Sequence, residues 1–209
     1  MAAYYKFFAF ALILADAVAL SACLRFYFRH KRTYALTLVG WFTSRFLSML
    51  LPVSIRLTLG WKTEQIMSFS VLFECLMMFL FFLTLLKSKN RYVALLFLLP
   101  FTVFAIEFYF LEHYYDIMYV SHVFYYVFVT GLLIWLLTNV KVQTHLIYFL
   151  NVNLVYHIIV FVDMLNLTFV SNSIEVASIV YPLFWLIYLT FDILCIRFFL
   201  QKHSKESMS

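Results

Sequence analysis

The chain has 209 residues, of which 66% are apolar and only 12% charged, with 26 Phe and 15 Tyr and a mean hydropathy of +0.96. No water-soluble surface tolerates that composition, so the sequence predicts an integral membrane protein with no separate soluble domain. The formal charge of +5 does not imply nucleic acid, because the Lys and Arg residues stand at the ends of apolar stretches and are not gathered on one face.

The fold class expected is all-α, a polytopic seven-helix transmembrane bundle forming a single domain over 1–209. The first span is predicted over 7–27 and ends in Arg25, Arg29, Lys31 and Arg32. Leu20-Ser21-Ala22-Cys23 imitates a lipoprotein cleavage box, but Asp16 interrupts the apolar run and strongly basic residues follow Cys23, so the stretch reads as a retained span. The second span, 34–55, carries Arg45 at its middle, and the third, 66–86, stops at Lys87, Lys89 and Arg91. The fourth, 92–111, gives way to Glu112, His113 and Asp116; the fifth covers 117–138, the sixth 146–165 and the last 176–199. About 20 apolar residues per crossing sets this count.

Lys and Arg sort unevenly between the two sets of span ends. Arg25, Arg29, Lys31, Arg32, Lys87, Lys89, Arg91, Lys141, Arg197, Lys202 and Lys205 fall on one side, against Lys6, Arg56 and Lys62 on the other. The positive-inside rule then predicts the N-terminus outside and the C-terminus in the cytoplasm, in a plasma or bacterial inner membrane. Cys23, Cys75 and Cys195 all lie in apolar segments, and their spacing suits neither a disulfide framework nor a metal site. Three Gly and three Pro in the whole chain leave large side chains to fill the space between helices, which argues for a well-packed bundle and against a large alternating-access cycle.

A charge in the hydrocarbon costs about 2.5 to 3.5 kcal/mol at mid-span on insertion scales, so it demands a partner. Asp16 lies at matching depth to Arg45 in the adjacent span and Glu74 lies nearby in the third, so the three are expected to form a structural ion pair set. A second concentration of polar groups lies toward the predicted outer side. Asn153, Tyr156, His157 and Asp163 follow a three-four stripe on the sixth span, His122 and Tyr125 share a stripe on the fifth, and Glu107 stands in the fourth. Tyr181, Trp185 and Tyr188 are spaced four and three on the seventh. Together these ten residues are expected to line an outward-opening aromatic and polar pocket for a small apolar molecule, a lipid or a partner helix. Two histidines and two carboxylates would satisfy zinc chemically, but no paired histidine spacing forces them together, so neither metal nor cofactor is assigned.

Several seven-span families lack support. The inner end of the third span has no Asp-Arg-Tyr, the last span has no Asn-Pro-x-x-Tyr, no lysine for a retinal Schiff base between Trp185 and Asp192, and no His-x-x-x-His of the ceramidase type. The segment Leu98 to Leu137 joins a Pro early in an apolar span, an acidic-aromatic loop and an aromatic-rich span. In this it resembles the seven-helix membrane sensor module that bacteria carry alone or ahead of a histidine kinase. The resemblance covers the second half of the chain and carries no catalytic residue. With no kinase after the last span, it implies that output passes through a membrane or cytoplasmic protein partner. The expected function is thus a non-enzymatic membrane sensor or complex subunit, the alternative being a small-solute or ion carrier or a membrane-embedded hydrolase using the outer His, Asp and Glu groups.

Overall fold

A computed structural model describes residues 2–59, 64–86, 98–110, 119–169 and 174–201. Among the described residues the chain is entirely helical, in seven helices: α1 (Ala2–His30), α2 (Thr33–Leu59), α3 (Glu64–Leu86), α4 (Leu98–Phe110), α5 (Tyr119–Asn139), α6 (Thr144–Phe169) and α7 (Ile174–Leu200). Five of them hold stretches long and apolar enough to cross a membrane: Phe7–His30, Thr33–Pro52, Val120–Asn139, Thr144–Val162 and Pro182–Leu200. Shorter apolar stretches, Leu72–Leu86 and Leu98–Glu107, lie in α3 and α4. The protein is an all-helical, multi-pass membrane protein, as its composition requires. Residues 92–97 and 117–118, which the sequence places at the starts of the fourth and fifth spans, lie outside the described residues.

Each long helix divides into a buried and a lipid-type face. On α1, Phe7, Phe10, Leu14 and Val18 are exposed at spacings of three and four, whereas Leu12, Asp16, Ala19, Cys23 and Phe26 are buried. Apolar residues on both faces are the expected pattern where the solvent is hydrocarbon.

The chain forms two compact units, Cys23–Tyr125 on the one hand and Met1–Ala22 with Tyr126–Ser209 on the other; both borders fall inside helices, α1 and α5, and not in linkers. In the Cys23–Tyr125 unit, α1 and α2 meet at a two-residue corner. Lys31 donates its N–H to the Tyr27 carbonyl at 2.7 Å and takes a left-handed φ of 49°, the conformation that closes many helix C-termini. Phe26 then packs on His30 at 4.6 Å and on Tyr34 of the next helix at 6.4 Å. α2 lies along α3, and Gly40 sets how close they come: a Cβ there would meet the sulfur of Met77 at 2.5 Å.

In the other unit α6 and α7 pack side by side. Their register is fixed by rings: Tyr156 stacks on Phe191 at 4.1 Å and meets Tyr188 edge-on at 5.4 Å, while Phe149 contacts Phe198 at 5.1 Å. Ring pairs of this geometry add about 0.5 to 1.5 kcal/mol each beyond the area they bury.

Candidate functional site

The polar groups expected to share one pocket are divided between the two units. Glu107, His122 and Tyr125 belong to Cys23–Tyr125, whereas Asn153, Tyr156, His157, Trp185 and Tyr188 belong to the other. Asp163 and Tyr181 lie on α6 and α7, but their side chains fall outside the described residues.

Glu107 has a specific task at the foot of α5. Its Oε1 accepts the N–H of Val120 at 3.0 Å, and its Oε2 accepts the N–H of Ser121 at 2.6 Å and also the Ser121 hydroxyl. The first N–H groups of a helix have no partner within it, and the helix dipole makes that end positive, so a carboxylate there is both a cap and a counter-charge. Ser121, His122 and Tyr125, all buried, line a cavity with Leu72, Cys75, Pro100 and Phe104 of about 10 Å³. That volume suits one water molecule at most.

The ion pair set is likewise divided. Arg45 is 4% exposed, its guanidinium 5.8 Å from the ring centres of Trp41 and Phe42 one turn earlier, within cation–π range. One turn later, Ser48 donates its hydroxyl to the Arg45 carbonyl at 2.7 Å and stands 3.4 Å from Glu74 Oε1. Glu74 of α3 therefore faces the turn of α2 that carries Arg45. Asp16 is buried at 1% exposure in the other unit.

On α6 the expected stripe is the buried face: Asn153, Tyr156, His157 and Val160 are all under 7% exposed. Asn153 donates Nδ2–H to the Phe149 carbonyl at 2.8 Å, and its buried Oδ1 accepts no hydrogen bond among the described residues. His157 Nδ1 lies 2.8 Å from the Asn153 carbonyl. Because a carbonyl can only accept, Nδ1 carries a proton in this contact. Tyr126 packs over the imidazole at 5.7 Å. Asp192 of α7 is fully buried, and its four-residue spacing from Tyr188 places both on one face of α7. Trp185 is half-buried and packs on Phe8 at 5.1 Å.

Beside that buried stripe, α6 and α7 leave an open groove of about 390 Å³. Its α6 wall is Tyr148, Asn151, Val152, Val155, Tyr156 and Ile159; its α7 wall is Leu186, Ile187, Thr190, Phe191 and Leu194. The volume falls in the range that holds small organic ligands, about 300 to 1,000 Å³. Among the described residues expected in the pocket, Tyr156 alone lines it, with Tyr188 against the Tyr156 ring. The other wall residues escape sequence reading because an apolar residue lining a groove and one facing lipid obey the same periodicity. Among the described residues no three His, Cys, Asp or Glu side chains come together to hold a metal ion.

No family model matches the chain, and no curated protein or solved structure is significantly similar to it.

Proposed function

We propose that this chain is a non-enzymatic multi-pass membrane protein, a sensor or a subunit of a membrane complex, that takes an apolar ligand or lipid into the α6/α7 groove. The observation that carries the reading is the groove itself: about 390 Å³, walled by aliphatic and aromatic side chains with Asn151 and Thr190 as its polar groups, beside ring contacts that join the two helices. An occupant would press on Tyr156, which touches both Tyr188 and Phe191 and is followed by His157. Displacement there reaches the buried polar stripe of Asn153 and His157 without a large helix movement. A ligand that binds one arrangement of these rings better than another shifts their populations by its difference in affinity.

The orientation proposed is N-terminus outside and C-terminus cytoplasmic, in the plasma or inner membrane, on the strength of the Lys and Arg asymmetry. The sensor assignment draws on the likeness of Leu98 to Leu137 to bacterial sensor modules, with a protein partner receiving the output.

Native mass spectrometry of the chain released gently from its membrane tests the reading. A retained lipid or apolar molecule is expected, and Val152→Trp, which fills the groove, should remove it. Release of the bare chain by both forms would refute the groove as a binding site.

A further inference from the structure

The groove has two unlike ends. Tyr156 is level with Phe191 and Phe149 with Phe198, so the antiparallel register sets Tyr148 level with Phe199 and about 3 Å along the axis from the level of Arg197. Arg197 is exposed and follows the wall residue Leu194 by three positions, on the same helical face one turn further. Neither Arg197 nor Lys141, exposed just before α6, is given an acidic partner by any ion pair among the described residues. The opposite end, at Ile159 and Leu186, is wholly apolar. From Tyr148 to Ile159 the wall rises about 16 Å at 1.5 Å per residue, close to half of a bilayer core about 30 Å thick.

We infer that this site takes an anionic phospholipid of the surrounding bilayer, one acyl chain lying along the groove over Tyr156 and the phosphate held at Arg197 and Tyr148. The inference rests on the groove reading above and adds the class of ligand. A leaflet-long, mostly apolar slot, with Asn151 and Thr190 as its polar lining and one cationic, tyrosine-bearing end, matches a lipid's own division into chain and phosphate. Arginine binds phosphate through a planar fork of donors, and a tyrosine at the headgroup level adds a hydroxyl. A partner helix fits less well. Close helix association uses Gly, Ala or Ser at the contact, whereas these walls are mostly Val, Ile, Leu, Tyr and Phe, with Val155 and Leu186 more than half exposed at the opening.

The test uses the full chain in phosphatidylcholine nanodiscs doped with photoactivatable phosphatidylglycerol or photoactivatable phosphatidylcholine of identical acyl chains, with labelled peptides quantified. The glycerol lipid should label α6 and α7 about fivefold more than the choline lipid, the factor expected for one basic residue near an anionic surface. Arg197→Gln should bring that ratio to about one and Arg197→Lys should keep part of it, neither changing the exposed site's folding. Equal labelling of the groove by both lipids, unaltered by Arg197→Gln, would overturn the anionic assignment and leave the groove reading standing. Labelling of α6 and α7 no stronger than that of the lipid-type face of α1 would overturn both.

Discussion

The α2/α3 pair and the α6/α7 pair are built from the same apolar alphabet and differ in what lies between the helices. At Gly40 the missing side chain lets α2 reach the Met77 sulfur, and the nearby cavity, at Ser121 and His122, holds about 10 Å³. Between α6 and α7 the contacts are made by Phe and Tyr rings, and a groove of about 390 Å³ opens beside them. Bulky residues hold helices at ring distance and leave space where the rings end, so a Gly-poor sequence does not pack equally well throughout. Charge follows the same division: Arg45 is buried and Glu107 is held at the start of α5, whereas Arg197 is exposed on α7 three residues past the groove-lining Leu194.

The largest expected effect tests the tight unit. Arg45→Leu removes a buried cation from the turn of α2 that the half-buried Glu74 faces and should destabilise the chain by about 3 kcal/mol, the low end for removing one member of a buried charged set; thermal unfolding in detergent measures it. A variant that unfolds at the wild-type temperature would show that Arg45 is not structural and would extend the functional site into α2.

Glu107→Ala comes next. It strips the first N–H groups of α5 of their acceptor and should cost about 1.5 to 3 kcal/mol, the range for hydrogen bonds to a charged group. Hydrogen exchange at Val120 and Ser121 should accelerate before exchange elsewhere in α5, whereas a uniform change along the helix would contradict the capping role.

The smallest pair of effects compares two glycines. Gly40→Ala forces the flexible end of Met77 aside and, offset in part by helix propensity, should destabilise by up to about 1 kcal/mol as an overpacked contact, with Met77→Ala restoring most of the loss. Gly131→Ala meets nothing within 4 Å and should be neutral or stabilising by up to ~1 kcal/mol through helix propensity. Equal behaviour of the two variants in thermal unfolding would remove the packing difference on which the comparison rests.

Much of the fold was legible in the sequence because hydrocarbon permits so few solutions. Apolar runs of span length must be helices, and the Lys and Arg clusters mark where they stop. The buried stripe Asn153, Tyr156, His157 and Val160 was readable for the same reason: polar residues at three-four spacing have to face inward. Glu107 was harder. An acid in an apolar span reads as a ligand-binding group, and its work as the α5 cap depends on where the chain after α4 turns back, which periodicity does not encode. The groove left no trace at all, because its wall is the apolar face next to the stripe and hydrophobic patterning cannot distinguish a wall from a lipid-facing surface. Scarce Gly leads to the expectation of a well-packed bundle; the structure shows a close approach at Gly40 of α2 and, on α6 and α7, ring contacts with an open groove beside them.

A structure determined in lipid, for example from a lipidic crystal phase, tests the central claim most directly. The account predicts continuous chain-like density in the groove, running from the level of Arg197 and Tyr148 past Tyr156 toward Ile159. Closure of the groove by the side chains of Val152, Val155, Leu186 and Thr190, with no density between the helices, would contradict it.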